Sequence, residues 1–177
     1  MTPLHKIVTS KLWQEYEEHS REISSVCRTL TEILGMSEHD QQKYCAAGLT
    51  HDIGRAVIMI AGEPKAASLV GTSPDRLDEI VKSEEEAYGM NHCHIGEKLY
   101  KKWRVSKIMS EGILRHHTPI VDDDVCLPGA IIFVSHFVTM SDFTGEIIAK
   151  MLPNNLLDAL HLTPKDIDQA RKKLETY

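Results

Sequence analysis

The stretch Ala47-Gly48-Leu49-Thr50-His51-Asp52-Ile53-Gly54-Arg55 decides how this chain is read. Apolar residues lie on both sides of it at helical spacing. Cys45, Leu49, Asp52, Ala56 and Met59 or Ile60 fall on one stripe, at steps of three and four residues. Asp52 therefore takes a position where a core-facing apolar residue belongs, and an imidazole precedes it directly. Ser37 can cap the start of this helix, with Glu38 and Asp40 in its first turn. A His-Asp pair on a helix is a weak signal alone, because chance supplies such pairs often. Its value depends on where the other histidines point.

Outward from this stretch the chain reads as helices. Leu12, Tyr16, His19, Ile23, Val26, Leu30 and Ile33 make one apolar face, which Gly35 ends. Gly62, Pro64 and Gly71-Thr72-Ser73-Pro74 break the pattern, and Ser73 can cap a helix with Pro74 in first position. A further helix starts near Asn91 and carries His92, Ile95, Gly96, Leu99 and Trp103. The next carries Ile108, Met109, Ile113, His116 and His117, and Pro119 closes it. Asp122-Asp123-Asp124 reads as a polar loop. Pro128 opens a helix through Ile132, His136, Met140 and Phe143, and Thr163-Pro164 opens the last one. No useful length alternates with the period of a strand. The expectation is an all-α bundle of about seven to nine helices, in one domain over residues 1–177.

The same periodicity sorts the histidines. His19 replaces an apolar residue between Tyr16 and Ile23. His92 shares the stripe of Leu99 and Trp103. His116 and His117 follow Ile113 by one turn, and His136 lies one turn from Ile132. Five helical segments thus bring a polar, metal-capable group to a core face. Burying one polar group without a partner costs roughly 2–7 kcal/mol. A single histidine on an apolar stripe is usually a hydrogen-bonded core residue. Five such positions are more economically explained by one shared partner, a divalent metal centre. His94 shares a face with Lys98 and Lys101 and reads as exposed. His5, His39 and His161 lie near helix ends or in loops.

Composition narrows the classes. An apolar fraction of 42% and a charged fraction of 26% suit a soluble globular protein. A net charge of -6 argues against broad nucleic-acid binding. Lys98, Lys101, Lys102 and Arg104 read as the solvated face of a helix. Cys27, Cys45, Cys93 and Cys126 have no CxxC spacing and read as small buried hydrophobes in a reducing compartment. No apolar run approaches the ~20 residues that span a bilayer, and the N-terminus does not read as a secretory signal. A cytoplasmic location is expected. No Gly-rich phosphate loop is present.

Taken together, these residues resemble the HD superfamily of metal-dependent phosphohydrolases, and within it the HDOD group, the "HD-related output domain" of bacterial signalling proteins. Trp13 to Ser20 looks like the family's entry helix, and Ala47 to Arg55 like its central helix. Glu86-Ala87-Tyr88-Gly89-Met90-Asn91-His92 with Ile95-Gly96, Leu99 and Trp103, the paired His116-His117 before Pro119, and Leu160 to Asp166 are similar to later HDOD stretches. The resemblance implies that His19, His51, Asp52 and a late aspartate hold a metal, and that His92, His116 and His117 extend the site to a second ion. It implies one or two divalent ions, with Fe or Mn favoured and Ni, Co, Zn or Mg possible. Glu15, one turn before His19, has the spacing of a further ligand in HD-GYP relatives. Aligning Ala130 to Ser135 with the family puts His136 where the late aspartate belongs; Asp142 fits less well by position. The Gly-Tyr-Pro run that marks cyclic-di-GMP phosphodiesterases does not follow His117. Only Met1 to Leu12 precede the tryptophan segment, so the chain resembles a reduced HD core.

The implied function is hydrolysis of a phosphoester or nucleotide in signalling, with Asp52 at the metal and Arg55 on a phosphate oxygen. An exposed Arg55 near a helix end is an equally good reading of that residue. The alternative is a catalytically silent output module that binds metal or nucleotide and acts through a protein partner.

Overall fold

The computed structural model describes residues 11–61, 77–139, 143–153 and 155–174. The sequence features at Gly62, Pro64 and 71–74, together with His5, Met140 and Asp142, lie outside the described residues. The rest is helical: α1 (Lys11–Ile33), α2 (Glu38–Thr50), α3 (Ile53–Ile60), α4 (Leu77–Tyr88), α5 (His92–Trp103), α6 (Lys107–Arg115), α7 (Leu127–Val138), α8 (Gly145–Met151), the single turn α9 (Leu156–Ala159) and α10 (Pro164–Leu174). The all-α expectation holds.

Local chemistry sets the ends. Gly35, at φ 66°, closes α1; its N–H reaches Glu32 O at 3.0 Å and the Met36 N–H reaches Thr31 O at 3.1 Å. Ser37 Oγ accepts from the Asp40 N–H, as its cap position predicts. Asn91 caps α5 by accepting from the His94 N–H at 3.1 Å. At α10, Thr163 and Asp166 exchange bonds across the first turn.

Two expectations are corrected. The helix through His51-Asp52 is not continuous. It ends at Thr50 and restarts at Ile53, with Asp52 at φ -95°, ψ 19°. The break turns Asp52 inward, while Leu49, placed on the same stripe, is 45% exposed. The second correction is a short antiparallel hairpin, β1 (Ile120–Val121) with β2 (Asp124–Val125). Its two linking residues, Asp122 and Asp123, both have positive φ, as a tight primed turn requires. Two-residue strands are too short to show an alternating pattern. Trp103 also departs from its stripe: it lies at the end of α5, stacks near Tyr100 and is 55% exposed.

The main core joins α1, α2, α7, α8, α9 and α10 through Ile23, Val26, Leu30, Ile131, Ile132, Ile148 and Ile167, all fully or almost fully buried. Helix α7 is apolar on all sides and runs through this core, with α1, α2 and α6 packed on it. Helices α3, α5 and α6 pack in sequence beside it. At the α3–α5 contact Gly54 lies against the backbone of His92. A Cβ there would stand only 2.0 Å from the His92 carbonyl oxygen.

Candidate metal centre

The fold gathers His19 from α1, His51 and Asp52 from the α2–α3 break, His92 from the start of α5, His116 and His117 from the end of α6, and His136 from α7. Three overlapping groups have all their candidate ligand atoms within 4.8 Å of one another: His19, His51 and His136; His51, Asp52 and His116; and His92, Cys93, His116 and His117. His51 and His116 link the groups, so they form one continuous centre. Asp52 lies in the middle. Its Oδ1 is 3.2 Å from His92 Nε2 and 3.6 Å from His116 Nε2, and its Oδ2 is 3.5 Å from His51 Nε2.

The chain fixes the tautomers of these rings. His51 and His116 each cap the end of a helix. There the last carbonyls lack a partner, and each ring Nδ1–H donates to the carbonyl three residues back. These bonds run to Gly48 O at 2.7 Å and Ile113 O at 2.6 Å. His136 Nδ1–H donates to Ile132 O at 2.9 Å. His92 Nδ1–H donates to the Glu84 carboxylate at 2.5 Å, and Glu84 also accepts the His92 backbone N–H. A neutral imidazole with its proton on Nδ1 has a bare lone pair on Nε2. Four such lone pairs result, and those of His51, His92 and His116 lie within 3.2–3.6 Å of Asp52. His92 Nε2 is 3.2 Å from His116 Nε2, closer than two bare acceptors should sit without a cation between them. His51 Nε2, Asp52 Oδ1 and His117 Nδ1 are buried without a hydrogen-bond partner among the described residues. The donor set fits a divalent metal: imidazole nitrogens with a carboxylate, of which His51, His92, His116, His136 and Asp52 are each held by an outer hydrogen bond.

Electrostatics agree. Burial first, and then the neighbouring imidazoles, lowers His116 to about 4 against an opposing pull from Asp52. Burial and His51 lower His19 to about 4 as well. His117 and His136 fall well below the ordinary range for the same reason, burial first. Burial alone would raise Asp52, but His51, Arg55 and His92 together outweigh it and hold the carboxyl ionised. His19, His116, His117 and His136 are thereby held neutral, as metal binding requires.

This yields a pH prediction for protein stripped of metal by chelation. The folded imidazoles bind protons near pH 4 and the unfolded ones near 6.5, so the unfolded state gains protons first as pH falls. Stability should be level above about pH 7 and decline between about 6.5 and 4. His19 and His116 would each contribute a loss on the order of 3 kcal/mol. Asp52 titrates below this window and does not offset the decline. Denaturant midpoints measured across this range give the test. A level profile would mean that the rings are not buried and neutral.

Two expected site residues behave differently. Glu15 belongs to none of the three groups; its side chain is 44% exposed and pairs with Lys11 at 3.4 Å. The i to i+4 spacing puts it on the same side of α1 as His19, but nearer the solvent edge. Arg55 is 7% exposed rather than on the surface. Its guanidinium lies 3.3 Å from Asp52 Oδ2 and 3.7 Å from Glu84 Oε1. His94 and the basic residues Lys98, Lys101, Lys102 and Arg104 are exposed, as expected.

Sequence reasoning missed Glu84. It is 1% exposed and lies between His92 and Arg55. Its position one turn after the buried Ile80 was the available signal, hidden within the acidic run Glu84-Glu85-Glu86. Cys93 was expected to be a small buried hydrophobe. It is buried, and its Sγ also lies 3.5 Å from His92 Nε2.

The family model for the HDOD domain matches residues 4–119, which span every candidate ligand except His136. The chain belongs to the HDOD family. A search of curated proteins finds no match. Among solved structures, this HDOD chain is similar in fold to the crystal structure of a "Putative phosphohydrolase" from Shewanella amazonensis SB2B. The TM-score is 0.67 at 16% identity, over 90% of this chain and 59% of that one. The HDOD chain thus spans 59% of the length of that protein. No described helix is long and apolar enough to cross a membrane.

Proposed function

We propose that this HDOD chain is a metal-dependent phosphohydrolase acting on a nucleotide or other phosphoester in bacterial signalling. The observation that carries the reading is the set of bare Nε2 lone pairs of His51, His92 and His116 held near Asp52 by their Nδ1 bonds. His19, His51 and His136 would hold one ion and His92, His116 and His117 a second, with Asp52 between them. A divalent ion held there would supply Lewis acidity, making hydroxide available near neutral pH and polarising a phosphoryl oxygen. The chain's own groups supply the rest. Asp52 holds negative charge at the centre, and Arg55 orients that carboxylate through its bond at 3.3 Å. The guanidinium could meet a phosphate oxygen only by turning from this pair.

Glu84 acts through His92. By accepting the Nδ1 proton it fixes the ring and strengthens Nε2 as a donor. Glu84→Gln should weaken metal binding about 10–100-fold, read by competition with a chromophoric chelator. Unchanged affinity would mean that the carboxylate only balances Arg55.

The depth of the site favours a second reading. His51 and His92 are 0% exposed and Asp52 is 2%, so little of the centre meets solvent. Such a site could hold an ion that stabilises the fold while a partner protein carries the output. The deciding experiment is elemental analysis of purified protein, followed by assay of a generic phosphodiester and a nucleotide panel with added Mn or Fe. Metal-dependent turnover supports the hydrolase. Bound metal without turnover on any substrate supports the output module. Protein that binds no metal removes both readings of the site.

A further inference from the structure

Cys93 is the second residue of α5 and is 3% exposed. Side chains of adjacent helical residues point about 100° apart. Even so, Cys93 Sγ lies 3.5 Å from His92 Nε2 and 3.8 Å from His116 Nδ1. His92 Nε2 in turn lies 3.2 Å from His116 Nε2 and 2.9 Å from His117 Nε2. In a tetrahedral site with metal–sulfur bonds of about 2.3 Å and metal–nitrogen bonds of about 2.0–2.1 Å, neighbouring donors stand roughly 3.3–3.6 Å apart. The sulfur-to-Nε2 spacing falls in that range, and the nitrogen spacings are within a few tenths of it. These four residues also form one of the groups whose donor atoms all lie within 4.8 Å of one another. Nothing in the resemblance that identifies the histidines calls for a sulfur at this position.

We propose that the Cys93 thiolate is a fourth donor to the ion held by His92, His116 and His117, making that end of the centre a three-histidine, one-cysteine site. The inference rests on the metal-centre reading above. Coordination releases the thiol proton to solvent. A soft thiolate beside imidazoles selects zinc, ferrous iron or cobalt over manganese and magnesium, whose preferred donors are carboxylates and water. This end of the centre therefore discriminates between metals, whereas the His19, His51 and His136 end, which has no sulfur in its group, is more tolerant.

The test uses the full chain, stripped of metal and titrated with cobalt(II), zinc(II) and manganese(II). Wild-type protein loaded with cobalt should develop a thiolate-to-cobalt charge-transfer band in the near ultraviolet. It should also protect one thiol from a thiol reagent. Cys93→Ser should still bind cobalt but lose that band. Its zinc affinity should fall by at least the roughly 10–100-fold that loss of an outer-sphere partner costs, with manganese affinity nearly unchanged. Cobalt bound to wild type without the band overturns the cysteine ligand and leaves the metal centre standing. A band that survives in Cys93→Ser also overturns it. Failure of wild type to bind any of the three metals overturns both. If Cys93→Ser does not fold, the wild-type spectrum and thiol protection decide alone.

Discussion

Asp52→Asn is expected to leave a folded protein that has lost its metal, with phosphoester hydrolysis lowered by roughly 10³-fold or more. The carboxylate is buried at the middle of the centre, within 3.2–3.6 Å of three imidazole Nε2 atoms and 3.3 Å from Arg55. Among the described residues, Asp52 and Glu84 are the two buried carboxylates and Arg55 the one buried guanidinium. The substitution removes the excess negative charge that a cation would balance. It also places an amide N–H₂ where an oxygen stood, able to donate to a bare Nε2 and so occupy the space between the rings. The fold is kept because that hydrogen bond replaces part of what the ion supplied. Several kcal/mol of metal-derived stabilisation of the transition state corresponds to the stated loss of rate. Elemental analysis and a phosphodiester assay on the same preparation give the answer. Full metal occupancy at wild-type rate would sink the choice of centre.

Gly54→Ala is the second large effect, and two forces oppose each other in it. Helix propensity favours alanine by about 1 kcal/mol in a helix interior. Packing opposes it, because the new methyl would stand 2.0 Å from the His92 carbonyl oxygen, a backbone atom that cannot swing aside as a side-chain tip could. Overpacking costs about 1–3 kcal/mol and occasionally more, and a clash with backbone belongs at the upper end. Packing wins, and the variant should lose about 2 kcal/mol or more, or several degrees in Tm for a chain of this size. Since the same carbonyl belongs to His92, metal affinity should fall with stability. Thermal unfolding with and without added metal measures both. A variant more stable than wild type would show that α3 and α5 are not in backbone contact.

The legible part of this protein was the part written in period. Stripes at three- and four-residue steps placed the helices and turned His19, Asp52, His92, His116 and His136 toward a core. What escaped was set by tertiary contact. The chain breaks at His51-Asp52 because those two side chains serve the centre, and a stripe cannot show a break that keeps the residues on its inner side. Arg55 looked equally suited to the surface, since its partner Glu84 meets it only after α4 returns to the site. Glu84 was hidden by its acidic neighbours. Cys93 looked like a core residue because its nearness to His92 Nε2 depends on ring orientation, which spacing does not encode. Glu15 had the right spacing but sits too near the solvent edge of its helix.

The helix-end carbonyls that hold His51 and His116 have a kinetic consequence. Small zinc modules fold only when the ion arrives, so their loading is a folding reaction. Here the backbone has already chosen the tautomer and direction of both rings, and α7, which lends the centre only His136, is packed into an apolar core by its other residues. Loading is then a matter of dehydration and entry into a prepared socket. Metal exchange should proceed without melting the helices that surround it.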